Sequence, residues 1–99
     1  MASKLAARVG DGTSHGTPLG PGPGCSSVLI EHRPAWRAGV DQHLCPLFSG
    51  PIAHIGGTVA IGSPTVFIGG QPAVRQGDLV IEPGGPNAIA TGAATVLIG

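Results

Sequence analysis

Charge is scarce in this chain. Only 10% of its 99 residues are Asp, Glu, Lys or Arg, five of each sign, and the formal net charge is zero. No basic face can be assembled to neutralise a phosphate backbone, which argues against nucleic acid as a partner. Self-repulsion does little to keep such a surface soluble by itself, so the composition points to an obligate partner. No segment sustains a 3.6-residue apolar period free of Gly and Pro, which argues against helices. Nor is there an apolar run long enough for a signal peptide or a membrane span, so synthesis in the cytoplasm is expected. There are two cysteines and no C-x-x-C pair, and in a cytosolic chain these read as thiols or metal ligands rather than a disulfide.

What the chain has in excess is Gly (18) and Pro (10), a content near the level that usually signals disorder. Val, Ile and Thr nevertheless recur in tight clusters, and Gly and Pro fall between the clusters, where turns belong. The pattern is that of one small all-β domain.

One motif accounts for most of the clusters. Gly62-Ser63-Pro64-Thr65-Val66-Phe67-Ile68 is followed by Pro72-Ala73-Val74-Arg75-Gln76-Gly77-Asp78. Thirty-eight residues earlier, Gly24 to Ile30 precedes Pro34-Ala35-Trp36-Arg37-Ala38-Gly39, with Asp41 one residue late. Thirty residues after the central copy, Gly92 to Ile98 repeats the strand, and Ala6-Ala7-Arg8-Val9-Gly10-Asp11 supplies the matching return arm. The third unit is split between the two ends, which implies a closed, pseudo-threefold object with its termini side by side. Each unit reads as a β-hairpin, with Gly69-Gly70-Gln71-Pro72 as a turn. The recurrent Arg and Asp read as turn and ladder contacts rather than chemistry.

Paired V-x-I…PAxR-x-G-D units, with D-G-T-S-H-G before the first and H-x-C-P and H-x-G-G between, resemble a PAAR-repeat protein from Lys4 to Gly99. The resemblance implies a small cone of β-hairpins whose broad base sits on a trimeric, VgrG-like β-helical spike, and whose point is held by zinc bound to three His and one Cys. The chain departs from the pattern at Trp36, at the Glu31-His32 turn, and at Glu82-Pro83-Gly84-Gly85, where many relatives place a cysteine.

Aligned on the repeated Asp, His15 and Cys45 each stand four residues on, and Glu82 is the third equivalent. His43 and Cys45, two apart, point to the same side of an extended segment. His54 aligns with Gly16 and Gly84. The set His15, His43, Cys45 and His54 suits tetrahedral zinc as one structural ion, and Glu82 is the most credible substitute ligand. Cys25 aligns with Ser63 and Ala93 and reads as packing, and His32 as a solvated turn residue.

The expected function is a spike tip of a type VI secretion system that caps and sharpens the trimer and helps to puncture a target membrane. A phage tail or an extracellular contractile injection particle is the alternative machine. One copy per trimer is expected, since a pseudo-threefold monomer can seat on a true threefold. Thr65, Phe67, Thr95 and Leu97 are the candidate contact residues. Effector cargo would be a separate protein. The tip would be cytoplasmic before assembly and secreted on firing. A metal-dependent hydrolase is the weaker reading, because four protein ligands leave no open position for water.

Overall fold

The Val-x-Ile alternation that recurs along the chain becomes short antiparallel hairpins in the computed structural model, which describes residues 4–83 and 87–99. Gly84, aligned above with His54, lies outside the described residues. No helix occurs among them, and about 52% strand makes the chain all-β. Strand β1 spans Lys4–Leu5, β2 Pro21–Gly22, β3 Cys25–Ile30 and β4 Arg33–Ala35. Next come β5 (Gln42–Ser49), β6 (Ile52–Val59), β7 (Phe67–Ile68) and β8 (Gln71–Pro72). The last three are β9 (Leu79–Ile81), β10 (Asn87–Ala88) and β11 (Leu97–Ile98).

Three two-stranded pairs stand apart from the larger sheet. β3 pairs with β4 and β7 with β8, while β1 pairs with β11 through Lys4↔Ile98 and Leu5↔Leu97, so the two ends lie together. Two-residue turns of this hand need positive φ at both positions. Gly69 (59°) and Gly70 (81°) meet that demand without strain, whereas Glu31 (50°) and His32 (73°) adopt it with side chains.

The return arms interlock. Trp36 N–H donates to Ala7 C=O at 3.0 Å, Ala7 N–H to Val74 C=O at 2.9 Å, and Val74 N–H to Trp36 C=O at 3.2 Å, which closes a ring. Bridges Arg8↔Ala35, Arg37↔Ala73 and Arg75↔Ala6 flank it. In each arm the Arg makes a two-pronged contact with its Asp. Nη2 lies 2.8, 3.0 and 2.9 Å from Oδ1 in Arg8–Asp11, Arg37–Asp41 and Arg75–Asp78, and each Arg backbone N–H also donates to that Asp. Such paired charge-assisted bonds are strong and directional. The bond with Asp11 is the main cause of the raised pKa of Arg8, and Asp41 acts likewise on Arg37.

The apolar core has two clusters with no shared residue. One holds Ile30, Ile68 and Ile98 with Ala6, Ala35 and Ala73, and Val28, Val66 and Val96 pack against it. The other holds the next arm residues, Ala7, Trp36 and Val74, with Leu19, Val59, Val80 and Ile89. Trp36 is fully buried, and a Cβ on Gly22 would stand 3.1 Å from its ring. Beyond this cluster lies a five-stranded sheet in the order β10-β9-β6-β5-β2. Its centre is the long β5–β6 hairpin, an element the repeat pattern does not announce.

Candidate metal centre

The sheet delivers three donors and a loop the fourth. On β5 burial alternates through Gln42, His43, Leu44 and Cys45, so His43 and Cys45 share the inward face. Along β9 and one residue past its end the same alternation carries Val80 and then Glu82 inward, while Leu79 and Ile81 face out. β6 requires a distortion. Cys45 pairs with Ile55, and directly opposed residues ordinarily share a face. Here Ile55 has φ of 64° and is 64% exposed, and between Cys45↔Ile55 and Phe48↔Ala53 three steps on β5 oppose two on β6. This bulge with its left-handed residue turns His54, instead of Ile55, toward Cys45. The turn continues through Gly56, where a Cβ would fall 1.8 Å from the His43 carbonyl oxygen. His15 comes from the loop before β2, and its backbone N–H donates to Asn87 Oδ1 at 3.0 Å.

The donor atoms of His15, Cys45, His54 and Glu82 all lie within 4.8 Å of one another. Glu82 Oε1 is 3.0 Å from His15 Nδ1 and 3.2 Å from His54 Nδ1, and the two Nδ1 atoms are 3.1 Å apart. Cys45 Sγ is 3.7 Å from His15 Nδ1 and 3.8 Å from His54 Nδ1. A tetrahedral ion such as zinc, with bonds of about 2.1 Å to N or O and about 2.3 Å to S, has N/O edges of roughly 3.4 Å and edges to S of roughly 3.6 Å. The N and O atoms stand slightly closer than that and Sγ slightly farther from the two Nδ1 atoms, and the residues fit a metal ion. The Glu82 side chain is fully buried with Oε2 unpartnered, a costly burial that a central cation offsets. The closest ring approach, His15 on His54, has centroids 4.7 Å apart.

The structure thus brings together three of the expected ligands, His15, Cys45 and His54, and adds Glu82. His43 stands outside the group. Its Nε2 lies 3.1 Å from Thr17 Oγ1 and 3.4 Å from Asn87 Nδ2, and its Nδ1 is buried without a partner. Burial, the largest influence, pushes the His43 pKa down, although the Glu82 charge acts the other way. Asn87 and Thr17, which hold His15 and His43, were not singled out from the sequence. Neither belongs to a repeated position, so no pattern marked them. His32 is exposed at its turn, and Cys25 is a buried thiol 3.3 Å from Ser27 Oγ, whose hydrogen bond lowers the thiol pKa.

Of the candidate contact residues, Thr65, Phe67, Thr95 and Leu97 are all exposed. Leu29, the equivalent of Phe67 and Leu97 in the first unit, joins them, and all three are 60% exposed.

Comparison with curated protein sequences returns no match. The family described as PAAR motif matches residues 49–99, just over half of the chain, including His54 and Glu82. That motif is associated with spike tips of contractile injection systems and with a spike-like partner, and the family is structural rather than enzymatic. With strands, arms and donor cluster arranged as described, the chain belongs to the PAAR motif family.

Proposed function

We propose that the protein caps the trimeric VgrG-like spike of a type VI secretion system, one copy per trimer, and that zinc ties its far end together. The observation that carries this reading is the triplet Leu29, Phe67 and Leu97. Each projects from a Val-x-Ile strand whose flanking Val and Ile pack into one shared cluster, so the three exposed side chains are related as the three strands are. The ring of arm hydrogen bonds supports a pseudo-threefold reading of the unit, and three equivalent apolar side chains suit a threefold spike end. Such a seat covers strand edges that would otherwise invite aggregation.

Zinc suits a mixed nitrogen, sulfur and oxygen set in four-coordinate geometry. Metal binding joins a loop and three strands, a large contribution for a domain with a thin core. Passage across a target membrane is supported by the segment from Gln42 to Val59, which contains no Asp, Glu, Lys or Arg and exposes Leu44, Leu47, Ile52 and Ile55. The protein would wait in the cytoplasm and leave the cell on the spike.

The test is reconstitution with purified trimeric spike. Leu29→Asp, Phe67→Asp and Leu97→Asp should each weaken association by at least about 10-fold, the scale of one buried apolar contact. Leu44→Asp, on the sheet carrying the metal donors, should leave it unchanged. The opposite ranking would place the spike on the wrong end.

A further inference from the structure

We propose that Glu82, and not His43, is the fourth metal ligand. The centre is then a charge-neutral site of two histidines, one cysteine and one glutamate, instead of a cationic site of three histidines and one cysteine. The inference rests on the metal reading above and names the donor set of that site.

The hydrogen bonds around Asn87 fix the role of His43. Asn87 Oδ1 accepts from the His15 backbone N–H, a group that can only donate. The other end of the amide is therefore Nδ2, a donor, and it faces His43 Nε2. Nε2 must accept, so the neutral His43 ring carries its proton on Nδ1. One ring nitrogen is thus engaged by Asn87 and Thr17, and the other holds a proton. Neither offers a free lone pair to a metal.

Glu82 is in the reverse position. Its side chain is fully buried, and its ion partners among the described residues are His15 and His54, which are themselves donors in the cluster. Among the described residues, no Arg or Lys within salt-bridge distance balances the carboxylate. A thiolate and a carboxylate together cancel a dication, and the Glu82 carboxylate lies buried within the cluster whichever residue completes it. Leaving that carboxylate uncoordinated beside the ion would forgo its direct compensation, so coordination by Glu82 is favoured. The repeat supplies the geometry. His15, Cys45 and Glu82 each follow the Asp of their own arm by four residues, so each unit contributes one donor, and His54 adds the fourth from the bulged strand.

Long-range 1H–15N correlation spectra of the imidazoles in the full-length zinc-loaded protein test this directly. His15 and His54 should show metal-bound Nδ1 and protonated Nε2, and His43 a protonated Nδ1. Competition with a chromophoric chelator should show Glu82→Gln losing more than about 100-fold in zinc affinity and His43→Gln losing less, within the range of outer-position changes. Glu82→Cys, which keeps an anionic donor, should retain most of the affinity and covers the case in which Glu82→Gln does not fold. A metal-bound His43 nitrogen, or a larger loss at His43 than at Glu82, would overturn the assignment while leaving the metal site intact. A wild-type protein that folds and binds no zinc would overturn the metal reading and this assignment together.

Discussion

Glu31 and Thr95 fasten the first hairpin to the last strand: Glu31 Oε2 accepts from the Thr95 backbone N–H at 2.9 Å and also from its hydroxyl. The other oxygen accepts from Arg8 Nη1 at 3.0 Å, so one side chain holds both Arg8 and Thr95. These bonds, with the Thr95 hydroxyl foremost, hold the Glu31 carboxyl below its usual value of 4.5. A lowered folded value means that the stabilisation is present above pH 4.5 and is lost as the pH falls through the folded value. Glu31→Gln should therefore be less stable than wild type at neutral pH, with the gap narrowing at about pH 3. Denaturant titrations at the two pH values measure it. A constant gap would show that Glu31 titrates alike in both states.

The three Arg–Asp contacts are structural, and Asp41 is the most demanding of them. It is fully buried and accepts from the backbone N–H groups of Gly24 and Arg37 as well as from the Arg37 guanidinium. Asp41→Ala strands these donors and should cost about 3–5 kcal/mol in equilibrium unfolding. A cost under about 1 kcal/mol would mean that the contact is dispensable.

Trp36 takes the place held by Ala7 and Val74 in the other arms, and it is fully enclosed. Trp36→Ala should destabilise by about 3–5 kcal/mol through the cavity it leaves. The measurement is chemical denaturation followed by circular dichroism, since the variant removes the only tryptophan.

Ile55 is a β-branched residue in left-handed backbone, next to the donor His54 and largely exposed. Ile55→Asn relieves this conformation with little lost packing, and should raise stability of the metal-free protein by about 1 kcal/mol. Ile55→Val keeps the strain and should give no gain. Equal effects of the two variants would remove the argument that the backbone here is forced.

The strand-and-arm units were legible because each is written in turn chemistry and period-two alternation, and Val66-Phe67-Ile68 already separates two inward positions from one exposed. The residues of the cluster were legible through their offset from Asp11, Asp41 or Gly62, with Glu82, four residues after Asp78, marked as the substitute ligand. Two things were hidden. The β5–β6 hairpin carries Gly56-Gly57 inside a strand, which reads locally as a turn. There each glycine lies where a Cβ would strike a neighbouring carbonyl, His43 for one and Ile81 for the other. Spacing alone placed His43 on the ligand face beside Cys45, and it lies on that face. What sets it apart in the assignment we propose is the Asn87 amide, a tertiary contact across 44 residues.

The central claim, that one chain crowns one threefold spike, is tested most directly by the mass of the intact complex. Native mass spectrometry of the reconstituted assembly should give one copy of this chain per three spike chains, with one zinc ion retained. Three copies per trimer would contradict the account.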